Sequence, residues 1–294
     1  MLKISNLTKS YEGVLALDNV SLKVEKGDVY GFLGPNGAGK TTAIRIIMGI
    51  IKEDAGIIEL NGLDINNTDR LTLGYLPEDR GLYQKQSLED VIVYFGRLRG
   101  LEIDEAKKRA DNWLERFRLN RHKRRKIEEL SKGNQQKVQF ILSLIHDPTV
   151  LILDEPFTGL DPLNQLLIKD IIKEMQSDGK TILFSTHQMG QVERMCNRIC
   201  LMNKGSIILE GHLNKIKSSY RSNAIEMSYD GRLDQKEINS FFSEFTINQN
   251  TLKGVLKIDS ESFLKWVITK VLVTSFQLTV PDLEQIFIQK IKSN

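Results

Sequence analysis

VYGFLGPNGAGKTTAIRIIMGII, residues 29–51, decides the fold. The stretch opens apolar and strand-like and closes apolar at helical spacing, so the glycine-rich segment Gly34–Thr41 joins a strand to a helix. Glycines let the backbone turn tightly enough to aim several N–H groups at one point, and the helix that follows adds its positive N-terminal end. Such a cradle suits phosphates. In this pattern Lys40 reaches the β and γ phosphates of a nucleotide and Thr41 ligates the accompanying magnesium ion. Gly34, Pro35, Asn36, Gly37, Ala38, Gly39 and Thr42 make up the rest of the candidate phosphate loop.

The neighbouring sequence fits that reading. LKISNL and VSLKV are strand-like on the N-terminal side. GIIELNG and LTLGYLP return to strand and turn over 57–77, and 87 to about 147 is helical and charge-rich, which predicts a helical subdomain inserted in the nucleotide-binding domain. TVLILDEP and TILFST resume the strands, with a helix over about Pro162 to Ser177 between them. Alternation of this kind predicts an α/β fold with a mostly parallel sheet. VLILDEP, 150–156, delivers two adjacent carboxylates to the end of an apolar strand: Asp154 is placed to hold magnesium, and Glu155 to orient or deprotonate an attacking water.

The bulk numbers agree with a folded two-domain protein. The chain has 294 residues, 40% hydrophobic and 27% charged, and its net charge, 41 − 38 = +3, is too slight to signal nucleic acid. No window approaches the run of about 20 apolar residues that spans a bilayer, and MLKISNLTKSYEG carries no apolar signal segment, which predicts a cytoplasmic location. Cys196 and Cys200 would be parted by a strand at RICLMN and read as two buried thiols. The basic run RFRLNRHKRRK, 116–126, is flanked by Glu115 and Glu128-Glu129 and has one interleaved aromatic, Phe117, so it reads as a solvated face and a nucleic-acid partner is not expected. Beyond about Ser218 the element order is β-α-β-β-α-β with a final helix, as in a ferredoxin-like α+β domain. There QKEINSFFSEF is expected to be a helix, and Ser260 and Pro281-Asp282 to start the last two.

LSKGNQQKV, 130–138, completes a resemblance to the ATP-binding cassette ATPases that covers residues 1 to about 218. It is similar to that family's signature segment, which opens a helix of the helical subdomain and caps the γ phosphate held by the opposite protomer. The resemblance therefore implies a homodimer, or a heterodimer with a similar subunit, that sandwiches two ATP molecules, with Ser131, Lys132, Gly133 and Asn134 touching the partner's nucleotide. Physically, Ser131 is a good N-cap and the N–H groups near Gly133 form a second anion-binding helix start. By the same resemblance Tyr11 in KSYEG stacks on adenine, Gly159, Leu160 and Asp161 in FTGLDP couple the two sites, and His187 in FSTHQ contacts the γ phosphate.

Two positions depart from the family pattern. Glu78 in GYLPEDRGLY stands where a glutamine commonly senses magnesium, which adds a carboxylate to an acidic site, and Lys132 replaces the first signature glycine. Both, with the smaller C-terminal domain and its PDLEQIFIQ helix, resemble the ATPase subunits of bacterial exporters that work with a separately encoded integral membrane subunit. The expectation is thus an ABC ATPase domain over 1–218 and an accessory domain over 219–294, bound peripherally at the inner face of the cell membrane, with ATP and Mg2+ as cofactors. A soluble ABC-type ATPase acting on ribosomes or nucleic acid, and a low-turnover nucleotide-gated subunit, are the rival readings.

Overall fold

The computed structural model describes every residue except Asp69, Arg80, Arg221, Ser222, Val280, Pro281 and Asn294. It divides into two compact units, Met1–Gly211 and His212–Asn294.

The first unit contains two sheets. β1 (Leu2–Tyr11), β2 (Val14–Val24), β4 (Ala55–Leu60) and β5 (Leu63–Asp64) form an antiparallel sheet in the order β2-β1-β4-β5. β3 (Val29–Leu33), β6 (Leu73–Leu76), β7 (Val150–Asp154), β8 (Thr181–Thr186), β9 (Arg198–Asn203) and β10 (Ser206–His212) form the second, in the order β10-β9-β3-β8-β7-β6. Within it β6, β7, β8, β3 and β9 pair in parallel. A strand covered on both faces is mostly apolar, and β3, β7 and β8, buried at every position, carry polar residues only at their ends. One apolar cluster joins Leu7, Leu17 and Val20 of the antiparallel sheet, Ile44 and Ile47 of α1 (Lys40–Ile47), and Phe32 and Ile152 of the parallel sheet. The helix behind the phosphate loop is therefore clamped between the two sheets. Each such side chain contributes about 1.5–3 kcal/mol by leaving water.

α2 (Leu88–Leu98), α3 (Ile103–Arg116) and α4 (Lys132–Leu144) lie between β6 and β7 in the chain. Ser87 caps α2 through the Asp90 N–H at 3.2 Å and Ser131 caps α4 through the Asn134 N–H at 3.3 Å, each satisfying a donor that a helix start leaves open. Phe117 and Phe140, both fully buried with rings 6.0 Å apart, knit the subdomain together. Three of the seven lysines and arginines of the basic run are ion-paired: Lys123 binds Glu89 at 3.1 Å and Asp111 at 2.6 Å, Lys126 lies 3.9 Å from Glu128, and Arg116 pairs with Glu174. α5 (Pro162–Ser177) precedes β8, with Asp161 as its cap and Pro162 at its first turn, where a missing N–H costs nothing. α6 (Met189–Met195) links β8 to β9; Cys196 follows it and Cys200 lies within β9, both buried and unbonded.

The second unit begins with α7 (Leu213–Ser219). β11 (Ala224–Asp230), β12 (Phe242–Asn248), β13 (Thr251–Leu256) and β14 (Leu272–Leu278) follow, in the order β12-β13-β11-β14 with every pair antiparallel. With α8 (Gln235–Asn239) after β11 and α9 (Ser260–Val267) after β13, this is the ferredoxin-like arrangement. The core is Met227, Tyr229, Phe242, Leu252, Leu256 and Phe263 with their neighbours. The helix expected over 235–245 is short: α8 stops at Asn239, and FSEF belongs to β12. Phe241, Phe242 and Phe245 fit helical spacing on paper, yet Phe242 is 1% exposed and pairs with Leu256 in the sheet, so tertiary burial decides. Asp259, one residue before Ser260, caps α9. Pro281 lies outside the described residues; α10 (Leu283–Ser293) follows it. Among the described residues no helix is long and apolar enough to cross a membrane.

Candidate functional site

Parallel strands release the chain at one edge of a sheet, and ligands of open α/β sheets bind there. β3 leads out of that edge into the phosphate loop. Gly39 caps α1 with φ 102°, and a Cβ at this position would stand 2.5 Å from the Ala16 carbonyl oxygen, so both conformation and space demand glycine. Gly34 is equally crowded, its virtual Cβ 2.5 Å from the Met202 carbonyl oxygen. The Lys40 amine donates to the carbonyls of Gly34 at 2.7 Å and Pro35 at 3.0 Å. It is 6% exposed; burial lowers its pKa, while Glu155, Asp154 and Glu78 favour the charged form.

β7 and β8 supply the acids and their supports. Asp154, 1% exposed, accepts a hydrogen bond from the Ser185 hydroxyl across the β7–β8 pair. Burial pushes its carboxyl up, and the Ser185 and Thr41 hydroxyls pull it back by hydrogen bonding. Its second oxygen, Oδ2, is buried without a partner. Glu155 leaves the strand with φ 50°, in the left-handed region, which re-aims its side chain. Its backbone N–H donates to the Ser185 carbonyl at 3.2 Å. Its Oε1 accepts from the His187 backbone N–H at 3.0 Å and lies 2.8 Å from His187 Nδ1, while Oε2 accepts from the Thr186 hydroxyl at 3.2 Å. An ionised carboxylate only accepts, so Nδ1 carries the proton in this pair and Nε2 is free for another partner.

A cleft of about 570 Å3 gathers the phosphate loop and the two acids, with His187 off its wall and bonded to Glu155. Tyr11, every residue from Asn36 to Thr42, Glu78, Asp154 and Glu155 line it. Gly34 and Pro35 do not, and enter through their carbonyls alone. Tyr11 is 42% exposed at the end of β1. Glu78 is exposed; partial burial, and then Asp154, Glu155 and Asp79, raise its pKa. Ser131, Lys132, Gly133 and Asn134 are not on the cleft wall. Gly133 instead faces Gly159, whose carbonyl oxygen is 3.9 Å from a virtual Cβ, and Asp161 nearby is held low in pKa by the Asn164 N–H. The structure thus sorts the expected residues into two groups, one inside the cleft and one around the start of α4.

Several residues escaped the sequence reading. Ser185 and Thr186 were in view in FSTHQ, and period-two alternation put them on opposite faces, but only the β7–β8 register aims both at the acids. Val14, Leu15, Ala16 and Lys204 also line the cleft, and nothing local marked them.

A family model described as ABC transporter matches residues 17–158. An uncharacterized ABC transporter ATP-binding protein of Methanocaldococcus jannaschii is 47% identical over 81% of this chain and 86% of its own. YhaQ, an uncharacterized ABC transporter ATP-binding protein of Bacillus subtilis, is 39% identical over 99% of this chain and 98% of its own. Among solved structures, a dimeric ATP-binding cassette in a post-hydrolysis state, bound to ADP and Pi, is 27% identical with a TM-score of 0.67, covering 72% of this chain and 99% of that one. A cleft built on a phosphate loop and two carboxylates, one of them bonded to a histidine, within this kinship, makes the chain an ATPase: it belongs to the ABC transporter family as an ATP-binding subunit.

Proposed function

We propose that this subunit drives export: two copies, or this chain and a similar one, close around two Mg-ATP, and closing and opening move a separate membrane subunit. The observation that carries the reading is the separation of two anion-binding helix starts. Lys40, Asp154 and Glu155 line one cleft, whereas the capped start of α4 at Ser131 lies off it. A single chain holds half of each composite site, and a second chain in head-to-tail contact supplies the rest. Export is supported by relatives named for daunorubicin resistance in Streptomyces coeruleorubidus, 34% identical over 76% of this chain, and for Nod factor export in Mesorhizobium japonicum, 36% over 70%. We assign residues 1–218 to the ATPase domain and 219–294 to an accessory domain, and place the protein at the cytoplasmic face of the membrane.

Within the cleft, backbone N–H groups of Asn36 to Thr42 and the Lys40 amine hold the phosphates, and Tyr11 packs on the base. Magnesium fits the acidic side. The buried, unpartnered Oδ2 of Asp154, the Thr41 hydroxyl and the Glu78 carboxylate form an all-oxygen set of the kind a hard divalent cation prefers. When bound, the ion neutralises charge developing on the transferred phosphoryl group. Glu155 orients water against the γ phosphate, and His187 Nε2 contacts that phosphate while Nδ1 steadies the carboxylate. Glu78→Ala is expected to raise the Mg2+ concentration for half-maximal ATP hydrolysis by about tenfold, since it removes one oxygen ligand; an unchanged magnesium titration excludes Glu78 from the metal site.

The surface also supports a protein partner. Tyr83 and Tyr94, 53% and 46% exposed, meet edge to face at 5.8 Å beside Phe95 in the helical subdomain. Exposed aromatics grouped this way mark interaction sites more than solvated surface. The ion pairs of Arg116, Lys123 and Lys126 take up part of the charge of the basic run, which weighs against the nucleic-acid alternative. Purification from a mild-detergent extract is expected to recover a multispanning membrane protein with the wild type, and to lose it with Tyr83→Glu/Tyr94→Glu while ATP affinity is kept. Recovery of ribosomes in its place overturns the transport reading, and recovery of the membrane protein with the double variant overturns the docking surface.

A further inference from the structure

We propose that Lys204 is a second nucleotide-binding cation, contacting the α-phosphate end of the bound nucleotide from outside the phosphate loop. This rests on the reading of the cleft as the ATP site.

Lys204 and Gly205 form the turn between β9 and β10. Far from the phosphate loop in sequence, the turn reaches it because β9 pairs in parallel with β3, Tyr30 opposite Arg198 and Leu33 opposite Leu201. The carboxyl end of β9 therefore emerges beside the point where the loop begins. Two backbone hydrogen bonds then fix the turn: Gly205 N–H donates to the Ala38 carbonyl at 3.1 Å, and Asp18 N–H donates to the Gly205 carbonyl at 2.9 Å. The Ala16 carbonyl oxygen packs into the same junction, 2.5 Å from a virtual Cβ on Gly39 and 3.0 Å from one on Gly205. Only glycines on both sides let the strand, the phosphate loop and the turn approach so closely.

At the head of this junction stands Lys204, with φ 45°, a left-handed conformation unusual for a side chain with a Cβ. It is exposed and lines the cleft, and it has no ion-pair or hydrogen-bond partner among the described residues. A surface lysine with no partner is ordinary; one held by an anchored turn on the wall of a phosphate cleft is not. Its position along the nucleotide follows from its neighbours. Tyr11, Val14 and Leu15 make the apolar wall against which a base lies, and Asn36 to Thr42 hold the β and γ phosphates. The turn bonds to Ala38 of the phosphate loop on one side and abuts Ala16 on the other, which is where the apolar wall meets the loop. Between base and β phosphate lie the ribose and the α phosphate, and of these the phosphate is what an ammonium group recognises.

The test is the affinity of the full chain for fluorescent ATP and ADP analogues, displaced by unlabelled nucleotide, for wild type, Lys204→Met, Lys204→Arg and Lys40→Ala. Methionine keeps the length of the side chain and removes its charge. Lys204→Met is expected to weaken ATP and ADP by the same factor, about three- to tenfold for one solvent-exposed charge-assisted contact, and to flatten the salt dependence of binding. Lys204→Arg is expected to restore affinity. Unchanged affinity in Lys204→Met overturns the proposal, as does a loss confined to ATP, which would put the cation at the γ phosphate, or an arginine variant as weak as the methionine one. Failure of the underlying reading is separate and visible: Lys40→Ala would then bind nucleotide as well as the wild type.

Discussion

Glu155→Gln is expected to lower steady-state ATP hydrolysis by about a hundred- to ten-thousandfold, the range that a positioned general base contributes, while nucleotide affinity stays close to wild type. The substitution is nearly isosteric: the amide oxygen can still accept from the two His187 donors that now hold Oε1, and the amide NH2 in the place of Oε2 can donate to the Thr186 hydroxyl. What disappears is the capacity to accept a proton from the attacking water. In the proposed cycle closure needs bound ATP and reopening needs its cleavage, so the variant is also expected to accumulate as a nucleotide-bound dimer. Phosphate release measured beside size-exclusion chromatography in ATP and magnesium checks both. A variant that hydrolyses at the wild-type rate removes Glu155 from the chemistry, and one that is inactive yet monomeric in ATP removes the dimer.

Lys40→Ala is expected to weaken ATP binding by about ten- to a hundredfold. A hydrogen bond to a charged group is worth about 1.5–3 kcal/mol, and each 1.4 kcal/mol is about tenfold in affinity. The upper part of the range applies because the amine is nearly buried, at 6% exposure, and so has already lost most of its water. Removing it also leaves the Gly34 and Pro35 carbonyls without their shared donor, which loosens the loop that the remaining N–H groups depend on. Equilibrium binding of labelled ATP gives the answer; an affinity within a factor of two of wild type would overturn the phosphate-loop assignment.

The parts of this molecule that could be read from sequence are those whose physical cause is local. Ser131 announces a helix start because a cap acts within three residues, and it caps α4. The apolar runs of β3, β7 and β8 announce buried parallel strands because strands covered on both faces carry few polar residues along their length. What was not legible depends on register. Ser185 meets Asp154 only because β7 and β8 pair with Asp154 opposite Ser185. Lys204 meets the phosphate loop only because β9 is the neighbour of β3. The short α8 is the converse case: Phe241, Phe242 and Phe245 satisfied the helical period, and a sheet edge needing Phe242 took the segment instead.

The bonding of Glu155 limits where its chemistry can come from. A carboxylate offers about four lone-pair directions. Oε1 spends two on the His187 N–H and Nδ1, and Oε2 spends one on the Thr186 hydroxyl. One vacancy remains, on Oε2. On the proposed role of Glu155, a single water docks there from a single direction, so the way the end of β8 grips the carboxylate sets the side from which water approaches the γ phosphate.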